Sequence, residues 1–268
     1  MLFRYTWITN EILFDVLKEG FQTLVIPKSG IYSFEVVGAG NEATEEFPGA
    51  RICGKIRLER GDKITVALGQ PSKGRYTSGS GGTFVVKETR DRPEPIFVAG
   101  GAGYSFYYSN YGKASLAQTA NGNNQIGSSG VQLIQQGDVE NFYCAGAGFF
   151  EAPDVGQLCE HSEPPQNYFN GLMGGKGFYY HGRYDQAFEL EGGFGGGGAN
   201  IHRYLNRIQK VYFGGGGGYT GGSSRIIDPS ICHGGGGGSF SADQDATFDY
   251  KYEKFGKCKI EFISNSSE

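Results

Sequence analysis

Residues 211–222 read VYFGGGGGYTGG. Five consecutive glycines stand between an apolar tripeptide and a tyrosine, an odd setting for a flexible tether. Related clusters recur at 100–103, 192–198 and 234–238, and several abut an aromatic residue: Phe194, Phe213, Tyr219 or Phe240. A polyglycine chain can adopt a left-handed helix with three residues per turn and no internal hydrogen bonds. Its N–H and C=O groups then point outward, and without Cβ atoms such helices approach closely enough to bond laterally. That pairing must offset the large entropy each glycine loses on ordering. Separate runs with aromatic anchors suit this scheme, whereas a linker needs one run and no anchors. The stretch therefore reads as one rod of a packed glycine bundle.

Composition supports an ordered protein. Glycine supplies 47 of 268 residues, with only 9 prolines, and there is no Gly-X-Y period, which excludes collagen. Unlike Gly/Ser-rich disordered sequence, the chain carries 17 tyrosines and 20 phenylalanines, enough aromatic surface to offset the ordering of the chain. The net charge of -4 and the scattered lysines and arginines give no electrostatic footprint for nucleic acid, and none is expected as a partner.

Outside the glycine clusters the sequence alternates like β-structure. FQTLVIPKSGIYSFEVV (21–37) reads as strand, turn, strand, with Ile31, Ser33 and Glu35 alternating against Tyr32, Phe34 and Val36. KIRLERGDKITVALGQ (55–70) repeats the pattern, GGTFVVKETRDRPEPIFVAGG (81–101) gives a hairpin-like pair, and KCKIEFIS (257–264) adds a further strand. Short strands at such intervals predict an all-β, antiparallel sandwich. The chain reads as a single glycine-rich domain over 1–268, in which 20–100 and 257–264 form the sandwich and 101–240 is a glycine-rich insertion. Two short α-helices are predicted. One lies over ANIHRYLNRIQKV (199–211), where Ile201, Tyr204, Leu205 and Ile208 share a face, and a weaker one over EILFDVLKE at the start.

Several motifs imitate chemistry. VVGAGNEA (36–43) matches the dinucleotide fingerprint, but Pro48 and Gly49 cut off the helix that must face a pyrophosphate. GARICGKI (49–56) imitates a P-loop, yet Ile56 stands where a Mg²⁺-binding hydroxyl is required. His161, His181, His202 and His233 share no metal-ligand spacing, and no Gly-x-Ser-x-Gly elbow occurs. Glu42, Glu45 and Glu46 read as a solvated loop. No catalytic, cofactor-binding or metal-binding residue is assigned, and no cofactor is expected. The tyrosine-rich YSFYYSNY (104–111) has two readings, an exposed recognition patch or a packed segment that lies against the sandwich or caps the glycine bundle.

The cysteines Cys53, Cys144, Cys159, Cys232 and Cys258 include no CxxC pair. Two disulfides and one thiol fit an oxidising compartment, five thiols a cytosol, and at least one disulfide is expected. Asn265-Ser266-Ser267 is a glycosylation sequon. The first twenty residues make a poor signal peptide, because Asn10, Glu11 and Asp15 break the apolar run. No apolar stretch reaches the ~18 residues of a membrane span, so direct membrane insertion is not expected.

Taken in order, VIPKSGIYSFEVVGAG, KIRLERGDKITVALGQ, GSGGTFVVKETRDRPEPIFVAGGAG, FGGGGGYTGG, GGGGGSF and KIEFIS resemble the glycine-rich ectodomain of the anaplastic lymphoma kinase and leukocyte tyrosine kinase receptors. The likeness covers roughly residues 20–264. It implies a tumour-necrosis-factor-like sandwich with an inserted bundle of polyglycine helices, and a non-catalytic extracellular or cell-surface domain that binds a small helical, cytokine-like protein ligand. No kinase, growth-factor-like module or membrane span lies in this chain, and no motif marks ligand-contact residues. The alternative expectation is a structural or adhesive glycine-rich surface or coat protein. Either reading makes a protein ligand or self-association the expected partnership.

Overall fold

The computed structural model describes residues 11–73, 78–105, 109–121, 132–133, 144–153, 162–180, 187–205, 208–228 and 231–264. The strands are β1 (Glu11–Leu13), β2 (Phe21–Val25), β3 (Gly30–Val37), β4 (Gly49–Leu58), β5 (Lys63–Ala67), β6 (Thr83–Glu88) and β7 (Glu94–Ala99). A one-turn helix, α1 (Ser109–Gly112), precedes β8 (Gln132–Leu133), a 3₁₀ turn at Tyr168–Asn170, β9 (Lys176–Tyr180) and β10 (Ala187–Glu191). After β11 (Ile201–Leu205), β12 (Ile208–Tyr212), β13 (Ser224–Asp228) and β14 (Ile231–Gly234), the chain closes through β15 (Phe240–Ser241), β16 (Thr247–Lys251) and β17 (Lys257–Ser264).

Two antiparallel sheets form a sandwich, ordered β1-β17-β3-β4-β16 and β15-β7-β6-β5-β2. The period-2 pattern sets the inner faces: Tyr32, Phe34 and Val36 of β3 meet Ile64, Val66, Val85 and Phe97 of the opposing sheet in one buried core. The pairing of Thr83–Lys87 with Glu94–Ala99 makes β6 and β7 a hairpin. The turns at 27–30 and 60–63 instead carry the chain from one sheet to the other, since β2 and β5 share a sheet that β3 and β4 do not.

The second sheet is buried on both faces along β5, β6 and β7. Ala67, Phe84, Val86 and Val98 point away from the sandwich core and are covered by Phe149, Tyr168, Phe194 and Tyr219 from the insertion. This double burial explains why FVV and IFVA run as unbroken apolar stretches, with no polar residue on an outer face. The insertion also builds a third sheet, β10-β9-β11-β12-β14-β13-β8, in which β9–β11, β12–β14 and β13–β8 pair in parallel.

Neither predicted helix forms among the described residues. Ile201–Leu205 and Ile208–Tyr212 pair antiparallel as β11 and β12, from Ile201 opposite Tyr212 to Leu205 opposite Ile208. Ile201, Tyr204, Leu205 and Ile208 keep a helical spacing, and no single strand would put all four on one face. The five pairs of the hairpin and the further pairing of β11 with β9 and of β12 with β14 supply the backbone partners, so pairing overrides the helical pattern. At the start, Ile12 of β1 pairs with Ile260 of β17 and Phe14 enters the core, which leaves no helix over 11–19.

The glycine runs form the lattice that the sequence suggests. Gly215 N–H donates to the Cys144 carbonyl at 2.7 Å, and Gly218, three residues on, to Ala147 at 3.3 Å. Gly216 donates to Gly235 at 2.8 Å and Tyr219 to Gly238 at 2.9 Å. Donors three apart thus return to the same neighbouring segment at acceptors three apart, the repeat of a three-residue-per-turn helix. Antiparallel neighbours follow the same rule: Gly79 donates to Gly198 and Gly82 to Gly195, both at 3.0 Å. Two segments that the glycine count understates, 78–82 and 144–148, serve as further rods.

Close approach, not unusual backbone dihedrals, requires glycine here. No residue of 214–218 or 234–238 has positive φ, yet a Cβ on Gly216 would lie 2.1 Å from the Gly101 carbonyl oxygen. On Gly217 it would lie 2.0 Å from that of Gly195. Gly195 and Gly196, with φ of 104° and 82°, are the exceptions that turn the 192–198 segment back on itself. Buried Asn200 plugs one end of the central rod, its Oδ1 accepting from Gly214 N–H at 2.6 Å.

Candidate functional site

The dinucleotide-like motif does steric work. A Cβ on Gly38 would meet the Gly100 carbonyl oxygen at 2.0 Å, and one on Gly40 the Tyr252 ring at 2.9 Å, so these glycines admit the 100–103 rod and an aromatic ring. GARICGKI lies within β4. Glu42 pairs with Lys254, and Glu45 and Glu46 are solvated. His233 is fully buried with Nδ1 2.8 Å from the Ser105 hydroxyl, and His202 stands on β11. His161, His181, Cys159 and Asn265 lie outside the described residues, among which no three His, Cys, Asp or Glu side chains converge.

The expected disulfide does not form among the described residues. Cys53 and Cys258 are thiols, and strand register keeps these two apart: Cys53 pairs with Glu35 of β3, whereas Cys258 pairs with Val36 of the same strand. Successive residues of a strand point to opposite faces, so the two sulfurs are held on opposite sides of the sheet. Burial pushes both thiols up from the ordinary thiol range.

Of the two readings of 104–111, the described residues take the cap. Tyr104 packs on Phe213 at 4.6 Å and Phe47 at 5.6 Å between ring centres. Its carbonyl accepts from Gly234, and that of Tyr111 from Gly236. Residues 106–108 lie outside the described set.

The exposed aromatic surface lies elsewhere, in GFFEAP and NYFNG. Phe149 is buried and stacks on Tyr168 with ring centres 4.9 Å apart. Their chain neighbours Phe150 and Phe169 emerge, 42% and 50% exposed, with near-parallel rings 6.3 Å apart. One buried side chain locks both: Asn167 Nδ2 donates to the Phe150 carbonyl at 2.7 Å, while its Oδ1 accepts from Asn170 N–H at 3.0 Å and caps the 3₁₀ turn. Leu172 then adopts φ of 60°, a left-handed conformation that costs a branched residue about 1–2 kcal/mol. In it, its carbonyl accepts from both Gly195 and Gly196, tying the turn to the glycine bundle. Below the ridge, burial and then the Glu88 carboxylate raise the Tyr168 hydroxyl, which stays neutral and donates to Glu88 at 3.2 Å. A pair of adjacent aromatics outside a strand, one inward and one outward, was the signal for this ridge in the sequence; the glycine and tyrosine runs overshadow it.

The outer face of the first sheet is charged. Asp249 of β16 takes two hydrogen bonds from Arg51 of β4, and Lys251 donates to Glu35 at 3.0 Å. Burial pushes the Glu35 carboxyl up, but Lys251 and the neighbouring cations outweigh it and hold Glu35 below the ordinary range. The Arg51 hydrogen bonds do the same for Asp249. Beside this network lies an open groove of about 800 Å³ lined by Ile31, Ser33, Cys53, Lys55, Asp243 and Thr247. Of its two carboxylates, that of Asp243 is already engaged: Oδ2 accepts from Lys55 N–H at 2.7 Å and Oδ1 from Asp245 N–H at 3.0 Å.

Compared with protein-family models and with curated protein sequences, the chain matches none. Among the described residues no helix is long and apolar enough to cross a membrane.

Proposed function

We propose that this chain is a non-catalytic, extracellular or cell-surface recognition domain that binds a protein ligand through the Phe150–Phe169 ridge. Carrying this reading is the pair of half-exposed rings held at fixed spacing by Asn167 and Leu172. Large apolar rings are costly to leave in water, and rigid aromatics at a site ordered in advance lose little entropy on binding. The glycine bundle is then the frame that keeps the ridge from collapsing onto the sheet beneath. In this reading the sandwich is of the tumour-necrosis-factor-like kind, and the ligand a small helical protein, as the resemblance to the receptor ectodomains implies.

Immobilised full-length protein, screened against a panel of secreted helical proteins, tests the proposal. A binder is expected whose affinity falls at least about 30-fold, or 2 kcal/mol, in the double variant Phe150→Ala, Phe169→Ala. A panel without a binder, or a binder indifferent to both substitutions, refutes it.

A further inference from the structure

Sheet edges are the natural place to seek a second partnership, because they carry backbone groups with nothing to bond. Most edges here are defended. β16 carries Asp249 and Lys251, β10 ends in Glu191, β1 is three residues long, and β8 and β15 are two residues long. The edge strand β2, FQTLV, has neither a charge nor a proline.

Its geometry leaves it open. Ile26, just past the strand, donates to Asp62 and accepts from Gly61, so its backbone groups face β5. Alternation along an antiparallel pair then turns Leu24 and Gln22 toward β5 and directs the N–H and C=O groups of Phe21, Thr23 and Val25 to the free edge. The side chains of the same residues lie on the outer face of the sheet: Thr23 is exposed, Val25 is 53% exposed, and Phe21, 38% exposed, rests edge-on against Tyr168 with ring centres 5.3 Å apart. Among the described residues none pairs with that edge.

We propose that β2 pairs antiparallel with β2 of a second copy of this chain, about a twofold axis through Thr23. The occupant follows from the pattern. Centred on Thr23, the register sets Thr23 against Thr23 and Phe21 against Val25 on both sides, an aromatic opposite a β-branched residue, which is a favoured cross-strand pair. The outward-facing groups of all three positions are bonded at once, by about six reciprocal hydrogen bonds. A contact between identical patches is the closed, isologous kind. One strand pair buries less than a standard interface of about 1,600 Å², so the dimer dissociates on dilution. The proposal is independent of the ligand reading above.

The test is a light-scattering and sedimentation series on the full chain. The weight-average mass is expected to rise with loading from 28.9 kDa toward twice that value. Thr23→Lys sets two ammonium groups opposite each other at the axis, where Cα atoms stand about 5.5 Å apart, and holds the mass at the monomer value. Thr23→Glu does the same, and an equimolar mixture of the two variants regains the dimer. Val25→Lys, a second disruption away from the axis, also yields monomer. Phe150→Ala, Phe169→Ala leaves the mass unchanged, which separates this surface from the ridge. A wild-type chain that stays monomeric at its solubility limit overturns the proposal. So does a dimer that survives Thr23→Lys, or a charge-swapped mixture that stays monomeric.

Discussion

At the scale of single residues, glycine plays two unrelated parts. Gly61 needs its identity for backbone conformation, with φ of 94° and nothing within 4 Å of an added Cβ. Gly216 needs it for space, because its Cβ would sit 2.1 Å from the Gly101 carbonyl oxygen, and backbone cannot move aside as a side chain can. Gly216→Val is therefore expected to cost about 3 kcal/mol or more, at the upper end of overpacking penalties. Gly61→Ala should cost about 1 kcal/mol, the strain of left-handed backbone alone. Thermal unfolding of the two variants checks this; equal losses, or an unchanged Gly216→Val, would count against the lattice. The glycine requirement was legible in the sequence at 214–218. Its counterpart was not, since nothing local reveals that Gly101, Ser80 and Gly235 surround that run.

At the scale of elements, strands were readable where one face is polar and one apolar, as in β3 with Tyr32, Phe34 and Val36 buried in the core. The stretch over β11 and β12 misled because its apolar residues keep a helical spacing, while the pairing that extends it, within the hairpin and to β9 and β14, leaves no mark on that spacing. The outer face of β3, β4 and β16 gives a pH prediction. Glu35 and Asp249 are held below their ordinary values of 4.5 and 3.8 by cations across the strands. A carboxylate with a lowered folded value adds stability above its unfolded value and loses it as pH falls through the folded one. The melting temperature is accordingly expected to be flat from neutral pH to about 5 and to drop below about pH 4. Asp249→Asn should flatten that drop. Half-exposed pairs of this kind contribute about 0.2–1 kcal/mol each, so the shift is small, and an identical acid profile in Asp249→Asn would refute the assignment.

At the scale of the whole molecule, two frames stabilise each other across one sheet. Its inner face packs into the sandwich core, and its outer face carries Phe84, Val86 and Val98 under the aromatic ceiling of the insertion. Opening the sandwich should therefore require the cooperative loss of both cores. Alkylation reads this out: half-buried Cys53 is expected to react slowly in the native protein, and fully buried Cys258 only on unfolding. Comparable rates for both would mean that the sandwich opens without global unfolding. By itself, the sequence determined the all-β class and the close packing of the glycine runs, because these follow from local spacing and side-chain chemistry. Tertiary structure decided which strands share a sheet, that Ile201–Leu205 and Ile208–Tyr212 extend, that Cys53 and Cys258 face apart, and which of two neighbouring phenylalanines reaches solvent. Each of these depends on partners supplied from elsewhere in the chain, and local sequence carries no record of them.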